Sequence, residues 1–174
     1  MLVTISGPPG AGTSTVAKLV AARLGLERVD GGSVFRQMAA ERGLDLVAFS
    51  SLAERDTTID VALDERLAAR ARSGAVVLES RLAGWIARNE GLPATTVWID
   101  ADEGERARRV AVRDGIDPAA AAAANRRRND SERLRYRTYY GIDLGDRSVY
   151  DLVLDSTSRS PEELTESIVA ATTR

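Results

Sequence analysis

The chain contains no cysteine and no histidine. Without cysteine there are no disulfides, thiolate nucleophiles, cysteine-bound zinc sites or iron–sulfur clusters. Without histidine there is no imidazole base, no Ser-His-Asp triad and no histidine-ligated metal. Lysine is nearly absent as well: of 24 basic residues only Lys18 is a lysine, and the other 23 are arginine. Arginine suits planar, two-pronged binding of phosphate and carboxylate. Any chemistry therefore falls to carboxylates, arginines, Lys18, hydroxyls, backbone amides or an oxygen-ligated cation. Long apolar runs are lacking too. The longest uncharged stretch, Met1 to Ala17, is broken by Gly7, Pro8, Pro9, Gly10 and Gly12 and has no basic start, so it reads neither as a membrane span nor as a signal peptide. A net charge of −2 gives no global field that would recruit nucleic acid or an anionic membrane. The expectation is a cytoplasmic monomer that binds neither.

What is present organises as one domain over residues 1–174, with 44% hydrophobic and 29% charged residues. Short apolar runs predict strands at Leu2 to Ser6, Ala75 to Leu78, Thr96 to Ile99 and Asp151 to Asp155, with a weaker one at Arg28 to Asp30. Helices are expected between them. Asp45 and one of Thr57 or Thr58 are placed to cap two of these, and Asp102 with Glu105 resembles a capping box. Ser160-Pro161-Glu162-Glu163 is a further helix start, with Ser at the cap and Pro at the first turn. Strands that are apolar throughout and alternate with helices predict an α/β fold, a parallel sheet covered on both faces. In such sheets ligands bind beyond the carboxyl ends of the strands.

The residues following those strands carry the chemistry. Gly7-Pro8-Pro9-Gly10-Ala11-Gly12-Thr13-Ser14 has the phosphate-loop spacing G-x-x-x-x-G-x-[ST] between a strand and a helix. Its glycines let backbone N–H groups ring a phosphate, and Ser14 stands where a hydroxyl ligates Mg²⁺. Thr13 occupies the usual lysine position. Lys18, one turn beyond Ser14, is one substitute cation, and the arginines are others. Glu79, at the end of the Ala75 strand, is a second expected metal-side residue, through a water of the Mg²⁺ shell. Asp30, Arg36 and Arg81 lie just beyond strand ends and are candidates for an acceptor phosphate. Arg106, Arg109 and Arg113 share a helix face. Arg126, Arg127, Arg128, Arg133, Arg135 and Arg137 crowd twelve residues. Three readings stand for this crowd: a solvated helix, an RNA-binding patch, or a lid bringing charge onto a phosphoryl group in transfer. The net charge and the phosphate loop upstream favour the lid.

The sequence resembles the cytidylate kinases, most closely the archaeal type, over nearly its whole length. The resemblance rests on Ile5 to Ser14, Phe35-Arg36, Arg81-Leu82-Ala83-Gly84-Trp85, Ser131-Glu132, Arg135-Tyr136, Tyr139-Tyr140-Gly141-Ile142-Asp143 and Tyr150 to Asp155. It implies a P-loop nucleoside monophosphate kinase fold: a five-stranded parallel sheet flanked by helices, an acceptor-binding insertion at about 31–74 and an arginine-rich lid at about 115–145. It implies transfer of the γ-phosphoryl group of ATP to CMP or dCMP, with Mg²⁺ and with nucleotides as the partners. By position, Gly7 to Ser14 and Thr15 would hold ATP. Asp30, Arg36, Arg81, Gly84 and Trp85 would hold the acceptor. Ser14 and Glu79 would serve the metal, and Arg81, Arg109, Arg113, Arg126, Arg128 and Arg133 the transfer itself. Adenine would lie near the loop after Asp155. Ser80 departs from the family's usual glycine and is expected to crowd the acceptor. The alternatives are a P-loop kinase for another nucleotide or small metabolite, and a nucleotide-binding regulatory module without turnover.

Overall fold

A computed structural model describes residues 1–172. The five strands are β1 (Leu2–Ser6), β2 (Glu27–Asp30), β3 (Val76–Glu79), β4 (Thr95–Asp100) and β5 (Leu152–Asp155). The eight helices are α1 (Thr13–Leu24), α2 (Gly31–Glu41), α3 (Leu46–Ala53), α4 (Thr57–Arg72), α5 (Ala83–Asn89), α6 (Glu103–Asp114), α7 (Pro118–Tyr140) and α8 (Pro161–Thr172). The strands form one sheet in the order β2-β3-β1-β4-β5, every pairing parallel. The α/β, five-stranded parallel expectation therefore holds. Burial on both faces holds only for the inner strands. β5 alternates half-buried and exposed, with Val153 55% exposed, because it is an edge strand with one free side.

Two apolar layers sandwich the sheet. On one side Val16, Ala17 and Val20 of α1 and Leu164 and Ile168 of α8 pack on Val3, Ile5, Val97 and Ile99. On the other, Leu67 and Ala71 of α4 and Ala83 and Ile86 of α5 pack on Leu2, Val76 and Leu78, joined by Tyr136 of α7. A smaller core of Met38, Phe49 and Ile59 ties α2, α3 and α4 into a unit between β2 and β3.

The helix starts refine the sequence expectations. Asp45 caps α3, and Ser160 and Glu163 form the reciprocal box that opens α8. α4 is capped by Asp56, which accepts from the Thr58 amide and hydroxyl, rather than by Thr57 or Thr58. The Asp102 side chain caps nothing. Glu105 instead binds the guanidiniums of Arg108 and Arg109, charged donors that outcompete a backbone amide.

Candidate active site

All five strands point their carboxyl ends at one edge, and the loop joining β1 to α1 lies in the middle of it. Gly7 has no room for a side chain: a Cβ there would sit 2.3 Å from the Ile99 carbonyl oxygen of β4. Gly10 adopts φ +84 and lies under the Arg106 backbone, where a Cβ would come within 2.6 Å of its carbonyl. Gly12 also has a positive φ of 85 and precedes α1. The loop is thus wedged between β4 and α6, and Ala11 is fully buried. Asp30, Asp45, Asp56 and Asp117 cap α2, α3, α4 and α7, but no side chain caps α1 and its first turn carries no acid. Free amide groups and a helix-dipole positive end make that terminus an anion site. Ser14 and Thr15 are exposed at its mouth, and so is Lys18.

A chain of polar contacts runs from this loop across the strand ends. The Ser14 hydroxyl donates to Glu79 Oε1 at 2.5 Å, and the Thr13 hydroxyl donates to the same oxygen at 3.0 Å. Arg28 Nε and Nη2 donate to Glu79 Oε2 at 3.0 and 2.6 Å. Arg28 lies 3.6 Å from Asp30, which lies 3.4 Å from Arg36. Asp30 also accepts from the Gly32 amide and the Ser33 hydroxyl, so it caps α2 as well as joining this chain. Arg36 is 58% exposed. Glu79 and the Ser14 hydroxyl form an all-oxygen donor pair. Among the described residues no cluster of three or more Asp, Glu, His or Cys forms a closed metal cage. That pair fits a hard cation that keeps water and takes phosphate oxygens.

Arg81 lies on the other side. Its Nε donates to Glu132 Oε2 at 2.5 Å and its Nη2 to Asn129 Oδ1 at 2.7 Å, both on α7, while Nη1 is buried without a hydrogen bond. Arg128 adds a 2.8 Å bond to Glu132 Oε1. Burial alone would raise the Glu132 carboxyl, but the Arg81 and Arg128 guanidiniums outweigh it and hold it below the ordinary value. One turn along, Arg135 lies 3.4 Å from the buried Asp60 of α4. Burial raises Asp60 and pushes Asp64 up to about 6, the neighbouring guanidinium and Tyr140 hydroxyl acting against it.

The remaining expected residues distribute unevenly. Arg109 bridges to the loop after β5, donating to the Ser156 hydroxyl at 2.9 Å and carbonyl at 2.7 Å. Ser156 in turn donates to the Ala11 carbonyl. Arg113 is paired with its neighbour Asp114, Arg126 with Glu103 of α6, and Arg133 is exposed on α7. The lid segment is a single 23-residue helix through Tyr140. The Gly84 expectation needs correction: a Cβ there would lie 2.4 Å from Tyr150 Cε1, so Gly84 is the seat of that ring rather than an open wall. Trp85 packs between the layers, its Nε1 buried without a partner. Ser80 points at the start of α2, where the missing side chain of Gly31 leaves it room, and so does not intrude on the rim. Sequence reasoning missed Arg28, Ser156 and the Asp60–Arg135 pair. Arg28 sat inside a weakly patterned strand, and the other partners lie far apart in sequence.

A sequence profile of the cytidylate kinase-like family matches residues 2–158. The chain belongs to that family. Cytidylate kinases of Halobacterium salinarum and Methanocaldococcus jannaschii are 46% and 44% identical to this member, over 98% and 90% of its length and 88% of theirs. Among solved structures, a protein from Eubacterium ventriosum superposes with a TM-score of 0.74 at 17% identity, over 98% of this chain and 97% of that one. Shikimate kinase from Acinetobacter baumannii, in complex with shikimate, gives 0.65 at 19% identity, over 98% and 92%. At those identities this cytidylate kinase-like chain shares the fold with them.

Proposed function

We propose that the protein transfers the γ-phosphoryl group of ATP to CMP or dCMP, producing ADP and CDP or dCDP. One observation carries the geometric side of this reading: the uncapped, acid-free start of α1 at the centre of the strand-end edge, facing the Glu79 carboxylate through Ser14. An anion held there by backbone amides sits beside an all-oxygen cation site. The near-full-length identity to cytidylate kinases of two archaea supports the acceptor.

In this reading the loop from Gly7 to Thr15 holds the ATP phosphates. Ser14 and Glu79 hold Mg²⁺, which when bound offsets the negative charge of the triphosphate. Arg36 and Arg81 grip the acceptor phosphate from opposite sides, Arg36 from the exposed rim and Arg81 from the α7 contact. Arg109, anchored on Ser156, lines the donor side. An oxygen of the acceptor phosphate, already ionised at neutral pH, attacks Pγ; the new O–Pγ bond forms as the bond from Pγ to the β-phosphate bridging oxygen breaks. No side chain has to take up a covalent bond. The residues' work is positioning and charge neutralisation, which is how phosphoryl transfer is accelerated. That matches a chain without histidine or cysteine.

The test is ADP release with ATP and Mg²⁺ against CMP, dCMP, UMP, AMP and GMP, with an acceptor-free control. CMP or dCMP should lead in kcat/KM by about tenfold or more. Turnover led by another nucleotide would overturn the substrate, and acceptor-independent ATP loss alone would overturn the kinase.

A further inference from the structure

Glu79 presents a charge problem. Its side chain is 8% exposed, at the end of an inner strand, and both oxygens point into the protein. A buried carboxylate requires a counter-charge. In the usual phosphate-loop pattern a lysine occupies the position of Thr13 and brings a cation into this space. Here Thr13 contributes only a hydroxyl, 3.0 Å from Glu79 Oε1. The neighbouring lysine, Lys18, is exposed. The cation that meets Glu79 comes from a different element: Arg28 of the edge strand β2, which donates from Nε and Nη2 to Oε2 at 3.0 and 2.6 Å. The register brings them together, because Asp30 of β2 pairs with Glu79 of β3 and Arg28 lies two residues back on the same face. The two oxygens of Glu79 are thus divided: Oε2 is anchored by Arg28, and Oε1 is turned to Ser14 and Thr13.

We infer that Arg28 is the positioning residue that stands in electrostatically for the missing loop lysine. It neutralises Glu79 from behind and fixes its inner oxygen against Ser14, so that the carboxylate does not repel the donor phosphates. This rests on the donor-site half of the proposed function and is independent of which acceptor is used. Arg28 has no contact with the reacting atoms in this reading; it acts through Glu79. Its partial exposure, 28%, leaves the outer face of the guanidinium wet, while the bonded edge faces the buried acid.

The experiment is a double-mutant cycle on nucleotide affinity, read by calorimetric titration of ATP in EDTA, so that neither metal nor acceptor enters. The variants are R28Q, T13K, R28Q/T13K and the charge-preserving R28K, each checked for a cooperative thermal melt. Losing a charge-assisted hydrogen-bonded pair beside the phosphate site should weaken ATP binding about tenfold in R28Q, with R28K close to wild type. T13K introduces a cation in either background. Its gain should be at least about threefold larger when Arg28 is absent, because only then is Glu79 uncompensated. Equal gains in both backgrounds, or wild-type ATP affinity in folded R28Q, would overturn the inference. Should R28Q not fold, the same decision rests on R28K and on T13K/R28Q: recovery of a cooperative melt and ATP binding in the double variant supports charge replacement, and recovery in neither overturns it. Loss of CMP selectivity in the acceptor panel with this cycle intact would indict the acceptor assignment alone.

Discussion

Replacing Glu132 by glutamine separates stability from acceptor binding. Glu132 and Arg81 are 8% and 9% exposed and meet at 2.5 Å, with Arg128 on the second carboxylate oxygen at 2.8 Å. The shape survives in E132Q, but Arg81 is left buried with Asn129 as its remaining side-chain hydrogen-bond acceptor and with Nη1 already unpaired. Breaking a buried pair from one side costs about 3–5 kcal/mol, and the amide oxygen that glutamine keeps places this case at the lower end, about 3 kcal/mol. For a chain of this size that is a fall in Tm of roughly 6–12 °C. The pH dependence has a definite sign. The Glu132 carboxyl is held below its ordinary 4.5, so its contribution is complete above that pH and is lost as the pH falls through the lower folded-state value. The gap between wild type and E132Q should therefore close in acid. Acceptor affinity should move the other way. If Arg81 grips the acceptor phosphate, Glu132 competes for it, and E132Q should bind CMP several-fold, about three- to tenfold, more tightly by titration. Urea melts from pH 3 to 8 and CMP titrations decide it. A stability loss under about 1 kcal/mol refutes the buried-pair reasoning. Unchanged CMP affinity in a destabilised E132Q refutes the role given to Arg81.

Asp64 behaves oppositely. Its carboxyl is raised from 3.8 to about 6 by burial, so the folded state is favoured while it is protonated and loses stability as the pH rises through that range. D64N should be more stable than wild type by up to about 3 kcal/mol at pH 7 and indistinguishable from it near pH 4, as measured by denaturant melts. Gly84→Ala places a Cβ 2.4 Å from the Tyr150 ring, itself packed on Trp98 with centroids 5.4 Å apart. The displaced ring should cost about 1–3 kcal/mol by the same melts, and the loss should be absent when G84A is made in a Y150A background.

Much of the architecture was legible because its rules are local. Glycine and proline punctuate the loop from Gly7 to Gly12, alternation of apolar runs marks the five strands, and the Asp45 cap and Ser160–Glu163 box act over three residues. The weak strand at Arg28 formed for a reason outside itself, by pairing in register with β3. Local signals also misled where competition was tertiary. Glu105 looked like a capping acid and was taken by arginines, and Gly84 looked like part of an acceptor wall and serves a tyrosine more than sixty residues downstream.

The sequence by itself determined the element order, the parallel α/β class, the phosphate loop and the exclusion of cysteine and histidine chemistry, since each of these depends on residue type or on neighbours a few positions apart. The tertiary structure alone decided which charges meet. Ser14 and Glu79 are 65 residues apart, Arg28 and Glu79 are 51 apart, and Arg81 and Glu132 are 51 apart. Those pairings follow from the strand order β2-β3-β1 and from the path of α7 past α4. Charged side chains carry no periodic signature of their partner, so a buried carboxylate and its guanidinium are matched only when the sheet register and the helix packing bring them to the same edge.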